Sequence, residues 1–220
     1  MGHKLSKREI IQLLGVVGLS AAGDRLLRSR APVGRDVSDN AAAQRILADG
    51  TFPQTGPDEA DLSIAIFSDY QCPACRFAEP ALMDAVAVDR RVKASFRDWP
   101  VFGARSEYAA RIALAASYQG KYDALHHLLM IEPGMLDSDA VRRVAERSGV
   151  VWPQLEDDLG RHDAMIKAAL GRTRWDAFLL GLSGTPSYLI GDLLVVGAQT
   201  QEGFGRLFAQ ARELARHRAR

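Results

Sequence analysis

The chain has 220 residues, 47% hydrophobic and 25% charged, which is ordinary for a globular protein and enough to bury a sizeable core. Its 28 Lys and Arg against 27 Asp and Glu leave a formal charge of +1, so no electrostatic footprint points to nucleic acid. The basic tail over residues 212–220 reads as the solvated end of a helix.

The first residues carry Lys4, Lys7 and Arg8, then an apolar run over residues 10–23 that includes the small residues Ser20, Ala21, Ala22 and Gly23. That run is shorter than the ~20 residues needed to span hydrocarbon, and its order of basic, apolar and small residues is that of an export signal. Residues 6–11 also resemble a twin-arginine signal, except that Lys7 stands where that motif has its first Arg, so the export route stays open. The alternative is an amphipathic helix that stays inside the cell. Residues 1–23 are expected to be an export signal or N-terminal anchor, and 24–60 an N-terminal helix and linker. Within the latter, residues 34–38 read as a polar lead-in. A helix follows with Ser38 or Asp39 as N-cap and Gly50 as stop, and then a loop rich in Pro, Gly and Asp.

The run LSIAIFS, residues 62–68, has the length of a buried strand. From about Pro73 to Val88 the spacing of Phe77, Leu82, Ala85 and Val86 predicts a helix with a kink at Pro80. In VKASFRDWP, Val92, Ala94 and Phe96 alternate with Lys93, Ser95 and Arg97, which is strand period. A helical block follows. Tyr108, Ile112 and Ala115 share one face, as do Val141, Val144 and Ala145. Leu155, Leu159, Ile166 and Leu170 continue a stripe after Pro153, and Trp175, Phe178, Leu179 and Leu182 form another. The period then reverts: SYLI and LLVV, split by Gly191-Asp192, predict a hairpin. A last helix with Phe204, Leu207, Phe208 and Leu214 inward closes the chain. Strand, helix, strand, helical block, hairpin, helix describes a mixed α/β sheet with a helical insertion.

Three chemistries compete for the two cysteines, Cys72 and Cys75. A structural zinc site needs four ligands and this pair supplies two. His126, His127 and His162 lie in helical stretches without a Cys partner, and adjacent His126 and His127 diverge by about 100°, so one is expected to pack and the other to face water. A structural disulfide across so short a loop would remove little unfolded-state entropy. A redox dithiol fits better. Cys72 follows a strand and opens a helix, where free N–H groups and the helix dipole favour a thiolate, and Pro73 suits the first turn. Cys75, one turn on, can attack a mixed disulfide formed at Cys72. Cys72 is expected to be the exposed nucleophile, with its pKa below the free value of about 8.5, and Cys75 the more buried resolving thiol.

These segments together resemble a DsbA-like thiol:disulfide oxidoreductase of the thioredoxin-fold superfamily. The resemblance rests on FSDYQCPACR, Pro80 in the following helix, SFRDWPVFG, SEYAARIALAA with GKYDALHHLLM, and GTPSYLIGDLLVVGAQ, and covers roughly Asp39 to the C-terminus. It implies a thioredoxin-like mixed sheet formed by residues 61–105 and 184–220, with an inserted helical domain over 106–183. It also implies that Cys72 attacks, that Cys75 resolves, and that Pro186 is a cis-proline facing them. Thr185, Pro73 and Ala74 would touch substrate, Thr185 offering its backbone to an extended substrate strand.

The sequence departs from the family pattern twice. Many thioredoxin-fold enzymes carry a buried acid six residues before the first Cys, where this chain has Ile66; proton transfer would then fall to water or to Asp69. Strong oxidases of the family have His before the second Cys, where this chain has Ala74. The thiolate therefore relies on helix N–H groups and on Arg76 if that charge is not simply solvated. The resemblance implies exchange of the Cys72–Cys75 disulfide with cysteines of exported proteins, in the periplasm or another extracytoplasmic space. Net oxidation is favoured over isomerase or reductase action, and a potential between about −270 and −120 mV is expected. A monomer is expected, reset by a redox partner, with no cofactor because the disulfide carries the two electrons. The reading from a different class is a non-catalytic protein that binds copper(I) through the two thiolates.

Overall fold

The computed structural model describes residues 34–218 and 220; the expected export signal lies outside them. Six strands form one sheet: β1 (Arg35–Asp36), β2 (Gln54–Thr55), β3 (Leu62–Ser68), β4 (Val92–Asp98), β5 (Ser187–Ile190) and β6 (Leu193–Val196), in the order β1-β6-β5-β3-β4-β2. Eight α-helices accompany it among the described residues: α1 (Ala41–Ala48), α2 (Pro73–Asp89), α3 (Ala104–Ala116), α4 (Tyr122–Ile131), α5 (Ser138–Arg147), α6 (Trp152–Arg161), α7 (Asp163–Leu179) and α8 (Gln201–Arg218). Five of them, α3 to α7, follow one another between β4 and β5, as the helical block predicts.

β3 is the centre of the sheet because both its faces are apolar, as a strand covered on two sides requires. It runs parallel to β4, from Leu62 opposite Val92 to Ser68 opposite Asp98, with α2 as the crossover. On its other side it is antiparallel to β5, with Phe67 opposite Ser187. Successive side chains alternate between two cores. Ile64 and Ile66 pack with Leu82, Tyr188, Phe204 and Phe208 on the side of α2 and α8, and Ala65 and Phe67 pack with Ile46, Ala177 and Leu180 on the side of α1 and α7. The β5–β6 hairpin turns at Gly191-Asp192 as expected, with Gly191 at φ 51°.

Several local expectations are corrected. The lead-in and the Pro-rich loop contribute β1 and β2, two-residue edge strands paired with β6 and β4. The N-cap of α1 is Asn40, whose side chain accepts from the Ala42 N–H at 2.9 Å, in place of Ser38 or Asp39. The stripe expected through Leu155 and Leu170 is broken at His162 into α6 and α7. The helix containing Pro80 continues as one element to Asp89. Phe77 faces solvent because the buried stripe of α2 is Cys75, Ala78, Glu79, Leu82, Ala85 and Val86. On α7, Trp175 and Phe178 are also exposed and stack at 5.3 Å, while Asp176 and Ala177 face inward. Arg97, placed by alternation on a polar face, is wholly buried because α1 and α7 cover that side.

Candidate functional site

The C-terminal ends of β3 and β4 meet where the Trp99 N–H donates to the Ser68 carbonyl at 2.8 Å. Beyond β3 the chain makes a turn closed by the Cys72 N–H on the Asp69 carbonyl at 3.1 Å. The buried Asp69 carboxylate accepts from the Gln71 N–H at 2.7 Å through Oδ1, and from the Val101 and Phe102 N–H groups at 2.6 and 3.1 Å through Oδ2. Asp69 thus ties the segment before Cys72 to the segment after β4. Three of its acceptor positions are thereby taken by backbone N–H groups.

Cys72 is the N-cap of α2, in extended backbone, and Pro73 is in the first turn, where its missing N–H costs nothing. Because β5 begins opposite Phe67, the residues just before it, Thr185 and Pro186, lie at the same end of β3 as Cys72. The Cys72 Sγ–H donates to the Thr185 carbonyl at 3.4 Å, and the Thr185–Pro186 peptide is cis. Of the six residues singled out from the sequence, Cys72, Cys75 and Pro186 are buried, Thr185 is half-buried, and Pro73 and Ala74 are exposed.

The expected contrast in exposure between the thiols is absent: Cys72 is 3% exposed and Cys75 2%. Both are free thiols, and the segment carrying Thr185 covers Cys72. Burial pushes the Cys75 thiol well up. The buried Thr185 hydroxyl has no hydrogen-bond partner. Arg76 is half-buried, with its guanidinium turned to backbone carbonyls and not to the thiols. Its Nε donates to the Met130 carbonyl at 3.3 Å and its Nη1 to the Gly134 carbonyl at 2.6 Å, which ties α2 to the end of α4.

Between α2, β4 and α4 lies a buried cluster that sequence reasoning missed. Glu79 and Asp98 are both 3% exposed and His126 1%. His126 Nε2 is 3.1 Å from Glu79 Oε1, and its Nδ1 is 2.8 Å from the Tyr70 hydroxyl and 3.4 Å from the Tyr122 hydroxyl. The Tyr122 hydroxyl donates to Asp98, 3.1 Å from each carboxylate oxygen. Burial pushes Asp98 up to about 6, opposed by the His126 charge and the two tyrosines. For His126, burial disfavours the imidazolium, but the Glu79 carboxylate outweighs it with help from Asp98 and Asp123, and the pKa rises. The stripe of α2 from Cys75 through Ala78 to Leu82 carried the signal for Glu79, at i+4 from Cys75. His127 is exposed and His162 stacks on Tyr118 at 3.7 Å, so the three histidines part company. No group of three or more His, Cys, Asp or Glu among the described residues could hold a metal ion.

Exposed apolar side chains occur on the segments tied to Asp69 and Gln71. Val101 and Phe102, held by Asp69, are exposed, as is Met135, whose neighbour Leu136 accepts from the Gln71 side chain at 2.7 Å. Phe77 adds an exposed ring on α2 itself, at 71%.

Comparison with known proteins matches this architecture. The profile of the DSBA-like thioredoxin domain matches residues 63–209. The crystal structure of a thioredoxin-like oxidoreductase from Silicibacter pomeroyi is 34% identical, with a TM-score of 0.73, and the match covers 79% of this chain and 98% of that one. The thiol-disulfide exchange protein alpha-DsbA2 from Wolbachia pipientis is 26% identical, also at 0.73, over 82% and 99%. A curated relative, the Na(+)/H(+) antiporter NhaA 3 of Salinispora tropica, is 30% identical over 140 residues, which is 61% of this chain and 21% of the antiporter. The chain thus spans about a fifth of the length of the curated relatives it matches.

Proposed function

This chain belongs to the DSBA-like thioredoxin family, a family of thiol:disulfide oxidoreductases, and we propose that Cys72 and Cys75 are the dithiol through which it exchanges disulfides with cysteine-containing proteins. The observation that carries the reading is the position of Cys72 at the start of α2, with its sulfur against the Thr185 carbonyl and a second buried thiol one turn on.

The oxidising cycle balances as follows. A substrate thiolate attacks Cys72 Sγ, the Cys72–Cys75 bond breaks, and Cys75 leaves as a thiolate that takes up a proton. A second substrate thiolate then attacks the substrate sulfur of the mixed disulfide. The substrate disulfide forms, Cys72 leaves, and two electrons have passed to the protein. Pro73 and Ala74, exposed beside Cys72, and Thr185, across from it, are the substrate contacts. An extended strand would take the Thr185 carbonyl that now accepts from Cys72. The rim of Val101, Phe102, Met135 and Phe77 suits the apolar segments of an incompletely folded chain.

We take net oxidation as its direction, over isomerase or reductase action. An extracytoplasmic location fits such a task, since structural disulfides persist there. No helix among the described residues is long and apolar enough to cross a membrane. We assign residues 61–105 and 184–220 to the thioredoxin-like domain and 106–183 to the insertion. We take the protein to act as a monomer reset by a separate redox partner. Cys75→Ala tests the reading: the variant accumulates mixed disulfides with thiol proteins, resolved by reductant on a gel. A variant that traps none, while the wild-type protein binds copper(I) stoichiometrically, would establish the metal carrier instead.

A further inference from the structure

A helix laid against a sheet is expected to turn its apolar side chains inward and its polar ones to water. The C-terminal half of α7 does the reverse in part. Thr173 and Asp176 are buried, the Asp176 carboxylate held by Arg45 and Arg97, while Trp175, Phe178 and Leu179 are 59%, 70% and 36% exposed. The Trp175 and Phe178 rings stack at 5.3 Å. At about 100° per residue, Ala164, Ala168, Gly171, Trp175 and Phe178 make one line along the outer face. Lys167 and Arg174 lie along one edge of that line and Arg172 along the other, all three exposed.

The charges around this line are one-sided. Between Ala164 and Leu179 the sole acid is the buried Asp176. Asp163, just before them, is paired with Arg111 at 2.5 Å and Lys167 at 2.8 Å. The segment beside the helix end adds Arg35, whose guanidinium donates to the Leu180 carbonyl at 2.8 Å, and the exposed acids Asp36, paired with Arg218, and Asp39. Trp175, Phe178 and Leu179 together expose roughly 300–400 Å². That is about half of the ~800 Å² per partner in a stable protein interface, and a second copy would bring like charges together. Paired rings on an apolar line flanked by cations match the surface of an anionic bilayer instead. There aromatic rings sit at headgroup level, and lysine and arginine reach the phosphates over apolar stems.

We propose that the outer face of α7 docks on an anionic membrane surface, with Trp175 and Phe178 entering the boundary between headgroups and acyl chains and Lys167, Arg172 and Arg174 on lipid phosphates. The docking is interfacial, since no helix among the described residues is long and apolar enough to cross a membrane. Asp176, between the two rings in sequence, meets Arg97 near the end of β4, and Phe67, opposite Arg97, pairs with Ser187. The aromatic pair therefore lies at the end of the sheet that carries the thiols, and a docked protein keeps them near the bilayer. The proposal does not depend on the dithiol chemistry.

The full chain, mixed with vesicles of phosphatidylethanolamine and phosphatidylglycerol carrying brominated acyl chains, provides the test. Of the three tryptophans Trp175 is exposed, Trp99 half-buried and Trp152 buried, and residues 1–33 contain none. Quenching by bromine thus reports on this face whatever else holds the protein to a vesicle. Wild-type emission should be quenched and shifted to the blue, and both effects should vanish in Trp175→Phe, which keeps an aromatic ring. Lys167→Gln with Arg174→Gln should lower the affinity read from quenching about 25-fold, or about fivefold for each cation. Brominated phosphatidylcholine vesicles should give no quenching at the same lipid concentration. Cosedimentation with anionic vesicles while Trp175 stays unquenched would mean that another part of the chain binds them, and overturns the proposal. Equal quenching by neutral and anionic vesicles overturns it too. So does a dimer that Phe178→Asp dissociates in sedimentation equilibrium, with no quenching by vesicles, because the face then belongs to a second copy.

Discussion

Asp98 is a carboxylate with little to gain from being charged where it lies. Burial lifts its pKa to about 6, so the folded protein holds a proton there that the unfolded chain releases near pH 4. A group raised in this way contributes stability that is fully present below about pH 4 and is lost as pH rises through about 6. His126, also raised, adds a loss of the same sign above its unfolded value of about 6.5. Asp98→Asn keeps an acceptor for Tyr122 but has no proton to lose. Urea unfolding should show the variant gaining on wild type by on the order of 3 kcal/mol between pH 4 and pH 6.5. Parallel stability curves for the two proteins would contradict this account of the site.

At the scale of elements, β4 is the strand whose environment its own sequence least reveals. Alternation marks Arg97 as polar and therefore outward, but on a central strand of a sheet covered on both sides there is no outward face. The Arg97 guanidinium donates to the Ile46 carbonyl at 2.6 Å, lies 3.3 Å from Asp176 and 3.5 Å from Asp49, and sits 3.7 Å over the Phe52 ring. Burial pulls its pKa down to about 10 against the pull of the two carboxylates, so the pair is needed to hold the charge. Arg97→Met leaves Asp176 buried with Arg45 as its remaining ion partner, and should destabilise by about 3–5 kcal/mol in chemical denaturation. The double variant Arg97→Met with Asp176→Leu should recover most of that loss, since apolar replacement of a whole buried pair is often neutral. Equal losses in the single and double variants would mean that the ion pair is not what anchors α7 to β4.

The same limit explains which parts of the molecule could be read in advance. β3, the β5–β6 hairpin and α2 were legible because period, length and turn residues agree there. β1 and β2 were not, because two-residue edge strands are defined by their partners. Helical spacing puts Phe77 and Trp175 in the predicted stripes, whereas the folded helices turn Glu79 and Asp176 inward. A charged residue goes inside only when a partner distant in sequence meets it. The spacing of Cys72 and Cys75 is a local pattern, but the Glu79–His126–Asp98 cluster draws on three elements, and only Glu79 has a local signal, in the stripe of α2.

Across the whole molecule, the helices between β4 and β5 do more than cover one end of the sheet. α4 supplies His126 and Tyr122 to the buried cluster, and the segment from its end to Leu136 accepts hydrogen bonds from Arg76 and Gln71 on either side of the thiols. These helices thus complete the surroundings of two thiols that the sheet positions. The claim on which everything depends is that Cys72 and Cys75 form one reversible two-electron couple. Its most direct measurement is the equilibrium of this pair with a graded series of glutathione redox buffers, read by mass spectrometry after alkylation. The account predicts a single two-electron transition between dithiol and Cys72–Cys75 disulfide, with a midpoint between about −270 and −120 mV. Two thiols alkylated independently at every poise, with no linked disulfide form, would contradict it.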